Sequence, residues 1–388
     1  MLARQKRDFG LFSKNTRQNS ANTIGKMGAN TMRVLIVNTV CGTGSVGRIC
    51  VRQKQALEQQ GHTVKIAYGR GTGGDYRIDT PMEVRAHGLL TRTADRHGFG
   101  SRRATERFLE WAERFDPDML LLHNLHGYYL HIGLLFQWIK SRPRMQVRWT
   151  LHDCWAFTGH CTYFDYVDCP RWKTGCHHCP QKTGYPASYG LDRSRENYRD
   201  KRALFTGVPN MTLITPSYWL AGLVKESFLK DYPVEVVHNT IDTSVFKPTP
   251  GDFRQKHGLE EKKIVLGVAA NWEKRKGLQD LLTLSETLGE PYRVVLVGLR
   301  GKVPPGVLAI PRTDSPRELA EVYTAADVFV NPTYEDNYPT VNLEAAACGT
   351  PVITYRTGGS VESVPQDRIV EKGDLRGLEA MIRRVCGV

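Results

Sequence analysis

The chain has 388 residues, 40% hydrophobic and 24% charged, with a formal net charge of +13. That length exceeds one ordinary core and sets an expectation of two domains, while the charge favours polyanionic partners such as phosphorylated small molecules or an anionic membrane face. No run approaches the ~20 apolar residues of a membrane-spanning helix, and no nucleic-acid module is visible, so nucleic acid is set aside as a partner.

Residues 1–31 are polar and basic with no apolar centre, unlike a signal peptide; they are expected to be a disordered extension, with Met27 and Met32 as alternative starts. Strand and helix signals then alternate. Arg33 to Asn38 reads as a buried strand, Arg48 to Gln60 as a helix and Thr63 to Tyr68 as a second strand, together a βαβ unit. Further strands are expected at Met119 to His123, Val147 to Leu151, Thr212 to Thr215 and Val234 to Val237. Helices are expected at Ala104 to Arg114 and Leu130 to Lys140. After the turn-rich Asn239 to Gly251 the alternation restarts. Strands are expected at Ile264 to Val268, Val294 to Val297, Val328 to Asn331 and Val352 to Tyr355. The helices between them are Gly277 to Leu288, Pro316 to Ala326 and Val341 to Cys348. Two such arrays predict an α/β chain of two doubly wound, Rossmann-like parallel sheets facing across a cleft, divided as 32–238 and 239–388. Ligands of such sheets sit at the carboxyl ends of the strands, so the loops there hold the candidate chemistry.

The first of these loops contains Gly42-Thr43-Gly44-Ser45-Val46-Gly47, a literal G-x-G-x-x-G. An NAD(P)-dependent oxidoreductase would need an acid at the end of the second strand, and the chain there reads Ala67-Tyr68-Gly69-Arg70. The loop reads as a phosphate loop that is not an NAD loop, with Gly47 as the position of closest backbone approach. Near the other end, Asp336-Asn337-Tyr338-Pro339-Thr340-Val341 leads from a strand into a helix that carries Glu344 one turn in. Backbone N–H groups at a helix start bind phosphate, and a carboxylate can accept two hydrogen bonds from a ribose diol, which suits a nucleotide-sugar. Asn271-Trp272-Glu273-Lys274-Arg275-Lys276-Gly277, also after a strand, supplies cations to neutralise a departing diphosphate. Strand ends also carry His123, His126 and Leu151-His152-Asp153. Asp116-Pro117-Asp118 spells a D-x-D but precedes a buried strand, and reads as a turn.

Asp336 and Glu344 with their spacing resemble the E-x7-E signature of retaining GT-B glycosyltransferases of family 4, with aspartate in the first position. Thr215-Pro216-Ser217 with Trp219-Leu220, His238-Asn239-Thr240-Ile241-Asp242 with Phe246 and Pro248, Glu318-Leu319 to Val330, and Gly358-Gly359 with Glu362 resemble that family's other motifs in order. Within it, the chain looks most like enzymes of bacterial extracellular polysaccharide assembly of the colanic-acid type. The resemblance implies a retaining transfer of a sugar from a UDP- or GDP-type donor to a glycan or lipid-linked oligosaccharide, with no catalytic metal or cofactor. It implies an active-site role for His152 and Asp336, and leaves His123 and His126 open. Donor binding would fall to Gly47, Asn271, Arg275, Lys276, Asp336, Asn337, Tyr338, Thr340, Val341 and Glu344. Asn271 stands where the family has an arginine, and Arg275 is the candidate substitute. A non-catalytic nucleotide-sugar-binding protein of the same fold is the alternative.

Nine cysteines without an export signal point to a reducing cytoplasm. The basic Arg193 to Arg202 suggests peripheral attachment at the inner face of the plasma membrane. Cys161, Cys169, Cys176 and Cys179 fall within nineteen positions and close with a C-x-x-C, as in structural zinc sites; unliganded thiols or disulfides are the alternatives.

Overall fold

A computed structural model describes residues 31–387, and the extension expected before Met32 falls outside them apart from residue 31. The chain divides into two compact units. One comprises the residues up to His152 with Lys182–Ile214 and Asp231–Val237; the other comprises Asp153–Gln181, Thr215–Lys230 and His238 onward.

The first sheet has strands β1 (Arg33–Cys41), β2 (Thr63–Gly71), β3 (Tyr76–Arg77), β4 (Met119–Leu122), β5 (Gln146–Thr150), β6 (Met211–Thr215) and β7 (Val234–Val236). They lie in the order β3-β2-β1-β4-β5-β6-β7. Their connections carry α1 (Gly44–Gln59), α2 (Pro81–Ala94), α3 (Arg102–Phe115), α4 (Ile132–Lys140) and α5 (Ser194–Phe205). A further helix, α6 (Tyr218–Glu226), belongs to the second unit. The second sheet has β8 (Lys263–Val268), β9 (Tyr292–Val297), β10 (Val307–Ile310), β11 (Val328–Asn331), β12 (Val352–Tyr355) and β13 (Ile369–Val370), in the order β10-β9-β8-β11-β12-β13. Its helices are α7 (Phe253–His257), α8 (Leu278–Thr287), α9 (Pro316–Ala325), α10 (Thr340–Ala347) and α11 (Leu375–Cys386).

The pairs β1–β2, β1–β4, β2–β3, β4–β5 and β5–β6 of the first sheet and β8–β9, β8–β11, β9–β10, β11–β12 and β12–β13 of the second are parallel. Parallel strands covered on both faces read as unbroken apolar runs, which is why Val34 to Val37 and Ile264 to Leu266 are fully buried. Strand order reverses beside β1, which lies between β2 and β4, and beside β8, which lies between β9 and β11. The loops after β1 and β4, and after β8 and β11, therefore flank the two switch points. Asp116 and Asp118 sit at the opposite, amino ends of the strands. The Arg33 guanidinium pairs with Asp116 at 2.9 Å, and the Arg33 backbone N–H donates to Asp118 Oδ2 at 2.7 Å. The D-x-D therefore ties the start of β4 to that of β1.

The Cys/His-rich segment, which the sequence reading attached to the N-terminal domain, groups with the second sheet. Its Tyr163 ring lies 4.9 Å from the Arg275 guanidinium, and the Tyr166 N–H donates to Glu335 Oε1. The basic Arg193 to Arg202 stretch is largely α5. Lys201 is buried, and Arg96 pairs at 2.9 Å with Asp200, while Arg195, Arg199 and Arg202 remain exposed.

Asp79 is a buried carboxylate with no hydrogen-bond partner for either oxygen among the described residues, and burial raises it to about 7 against the opposing pull of Arg77 and Arg70. Between the unfolded value and about 7 the folded chain holds the extra proton, so stability falls as pH rises through this window. Asp79→Asn removes that dependence. Its stability gain over wild type should grow by at most roughly 3 kcal/mol from pH ~5 to pH ~8, read from thermal melts. An equal gain at both values would sink the assignment.

Candidate active site

In the second unit, β8 runs into a short turn (Lys274–Lys276) that ends at Gly277, whose φ is +70°. A Cβ there would lie 2.1 Å from the Pro332 carbonyl oxygen, so glycine lets this turn press onto the segment after β11. The turn then clasps that segment. The Tyr334 N–H donates to the Arg275 carbonyl at 2.7 Å, and Arg275 Nη1 donates to the Glu335 carbonyl at 3.0 Å. Arg275 Nε also donates to Glu273 at 2.9 Å. Next to it, Lys276 Nζ meets Asp336 Oδ2 at 2.5 Å, with Asp336 only 8% exposed. Glu335 points elsewhere, is 2% exposed and is pushed up to about 7 by burial, with the Tyr166 N–H and the Arg275 charge opposing.

The acid segment leads through Pro339 into α10, whose first turn holds Thr340 and Val341. The helix start is therefore aimed from the same loop that carries the Asp336–Lys276 pair, an arrangement suited to a phosphate beside a cation. Glu344 lies in this helix, 5% exposed, and accepts from the Tyr323 hydroxyl at 3.2 Å. Asn337 is buried and accepts from Ser217 Oγ at 2.5 Å; Tyr338 stacks on His238 at 4.6 Å between centroids. Asn271 stands exposed in the turn after β8, its carbonyl accepting from the Glu273 N–H at 3.1 Å.

Gly358 and Gly359 press onto this segment. A Cβ on the first would lie 2.0 Å from the Asp336 carbonyl oxygen and on the second 1.8 Å from that of Asn337. Glu362, three residues on, caps α6: its two carboxylate oxygens accept from the Tyr218 and Trp219 N–H groups at 2.8 Å each. A carboxylate on a helix N-terminus satisfies otherwise unpaired donors and complements the dipole.

In the first unit, Gly42 has φ +74°, and a Cβ on it would lie 2.7 Å from the Thr72 carbonyl oxygen. Gly47 is inside α1, where a Cβ would meet the Val40 carbonyl oxygen at 3.1 Å, so it sets the close approach of the helix start to the end of β1. His123, directly after β4, and His152, two residues past β5, form a stacked pair with centroids 5.3 Å apart and planes at 18°. His123 Nδ1 and His152 Nε2 are 3.0 Å apart, and His123 Nε2 is 3.0 Å from Gln53 Oε1. Gln53 Oε1 can only accept, which puts the His123 proton on Nε2 and leaves Nδ1 to accept from the His152 Nε2–H. Burial keeps His123 neutral, far below the ordinary imidazole value. His126 instead lies 3.1 Å from the Tyr185 hydroxyl.

The four cysteines of the candidate zinc set line one small cavity. Among the described residues, no group of three or more His, Cys, Asp or Glu side chains already stands ready to hold a metal.

The sequence reading missed Gln53, Tyr163 and Glu335. Gln53 lies in the helix after the glycine loop, with no motif to mark it, and Tyr163 sits inside a segment read only for its cysteines. Glu335 was passed over for its neighbour Asp336, which has the motif spacing.

The fold is that of GT-B glycosyltransferases. It matches sucrose-phosphate synthase from Thermosynechococcus elongatus with a TM-score of 0.65 and 16% identity, over 92% of this chain and 90% of that one. It also matches Anabaena Alr3699/HepE, solved with UDP-glucose, with a TM-score of 0.56 and 16% identity over 91% and 89%. The description "Glycosyltransferase Family 4" matches residues 46–245 and "Glycosyl transferases group 1" matches residues 251–385. The chain belongs to glycosyltransferase family 4. It is 27% identical over 354 residues to the putative colanic acid biosynthesis glycosyl transferase WcaC of Escherichia coli K12, covering 85% of each chain.

Proposed function

We propose that this glycosyltransferase transfers a sugar, with retention, from a nucleoside-diphosphate sugar of UDP or GDP type to a lipid-linked glycan in bacterial extracellular polysaccharide assembly. The observation that carries the donor part is the Lys276–Asp336 pair beside the start of α10, with Glu344 in the same helix. The helix start and Lys276 hold the diphosphate, and Lys276 offsets the negative charge that grows on it as the glycosidic bond breaks. Glu344 takes the ribose hydroxyls, with the Tyr323 hydroxyl orienting its carboxylate. Arg275 is bound to Glu335 and Glu273 and stacked by Tyr163, so it acts chiefly by fixing the loop that presents Lys276 and Asp336. The leaving phosphate steers the acceptor hydroxyl onto the same sugar face, and His152 hydrogen-bonds a hydroxyl of donor or acceptor. The likeness to WcaC supports the polysaccharide acceptor.

A thermal-shift panel of UDP-, GDP-, ADP- and dTDP-sugars, followed by donor turnover on wild type and Glu344→Ala, tests this reading. One donor family should raise the melting temperature, and Glu344→Ala should weaken its binding at least ~10-fold, the loss of more than ~1.4 kcal/mol. Unchanged donor affinity in a folded Glu344→Ala protein would remove Glu344 from the site, and binding without turnover would favour a non-catalytic sugar-nucleotide receptor. Attachment at the cytoplasmic membrane face is tested by co-sedimentation with vesicles, which should depend on anionic lipid.

A further inference from the structure

We propose that Cys161, Cys169, Cys176 and Cys179 bind a single structural Zn²⁺, a site independent of the donor reading above. Four thiols from a 19-residue stretch, with His160 and His177, line a cavity of ≈10 Å³. Four thiolates are the donor set of a closed tetrahedral zinc site. The Gly159 N–H donates to Cys176 Sγ at 3.2 Å. His177 Nδ1 is buried at the same cavity and has no hydrogen-bond partner among the described residues.

The surroundings fit a thiolate-rich metal. Arg171 lines the cavity and donates to the carbonyls of His177, at 3.0 Å, and His178, closing the C-x-x-C turn and bringing positive charge to a centre whose net charge would be −2. His178 takes the left-handed conformation, φ +45°, that this turn needs. Phe164 and Trp172, stacked at 4.8 Å, give the cavity an apolar side. The segment has the short helical turns Trp155–Phe157, Asp165–Val167 and Arg171–Lys173, tied by backbone bonds such as the Cys154 N–H to the Thr162 carbonyl at 2.8 Å. The sulfurs surround the cavity without being drawn together on one point. Binding displaces the four thiol protons to solvent and pulls each sulfur to about 2.3 Å from the ion, with four bonds formed to zinc and no change of oxidation state. All four positions being protein-held, the ion takes no substrate. It fixes the stretch that carries Tyr163 to Arg275 and Tyr166 to Glu335.

The test is metal analysis of the full chain, purified in reducing buffer without chelator, together with counting of alkylated cysteines. We expect about one zinc per chain and four cysteines that become alkylated only after chelation. Cys176→Ser/Cys179→Ser should lower the metal to below ~0.2 per chain. Because that variant can misfold, the wild-type protein is also stripped and reloaded with Co²⁺. Visible d–d bands of tetrahedral thiolate coordination support the site. Zinc below ~0.2 per chain both as isolated and after zinc addition, iron in its place, or a disulfide within the set would each overturn it.

Discussion

Replacing Lys276 by alanine is expected to lower donor turnover by roughly 10²–10³-fold in kcat, the size seen when one preorganised charge-stabilising donor is removed. Lys276 Nζ stands 2.5 Å from Asp336 Oδ2, and the side chains are only 22% and 11% exposed. A cation so placed is oriented before substrate arrives, so it stabilises charge as it develops without reorganising. The substitution also strands Asp336 as a buried charge, which alone costs about 3–5 kcal/mol of stability. Asp336→Asn in the same chain removes that second effect. The double variant should regain much of the lost melting temperature while turnover stays low. If a well-folded Lys276→Ala protein turns over donor at the wild-type rate, the proposed donor site is wrong.

The second large effect concerns His152, which on the proposed reading touches substrate, and His123, which positions it. His152→Ala should cost roughly 10²–10⁴-fold in kcat, the range for a positioned acid–base or hydrogen-bonding group. His123 is 2% exposed, and its Nδ1 is the acceptor that fixes the His152 proton on Nε2. Gln53→Leu removes the oxygen that fixes His123 in turn, at 3.0 Å. Gln53→Leu should lower kcat by about 10-fold and move the acid limb of the pH–rate profile, with the donor KM unchanged. A purely structural Gln53 would lower stability without moving that limb.

The alternation of strands and helices was legible because central parallel strands are buried on both faces, as Val34 to Val37 show. The short elements were not. β3 and β13 have two residues each and carry no period, and α5 hid behind its charges, with only Asn197, Tyr198, Lys201 and Phe205 turned inward beyond its first turn. At the candidate site, Asp336, Lys276 and Glu344 stood out because each lies at a strand end or helix start, where the chemistry of such sheets collects. Gln53 and Tyr163 did not, since each matters through a partner 70 or more residues away: Gln53 through His123, Tyr163 through Arg275. The function of Glu362 was equally hidden. Its motif was visible, but its task is to hold the N–H groups of Tyr218 and Trp219, more than 140 residues earlier.

That last contact bears on how the enzyme can be cut and recombined. A chimera joined at Asn239 would inherit the second sheet from one parent and α6, with the Cys/His segment, from the other. Glu362 would then cap a foreign helix, and Glu335 and Arg275 would meet a foreign Tyr166 and Tyr163. Exchange of donor specificity between relatives therefore calls for three pieces moved together, 153–181, 215–230 and the residues from His238 onward.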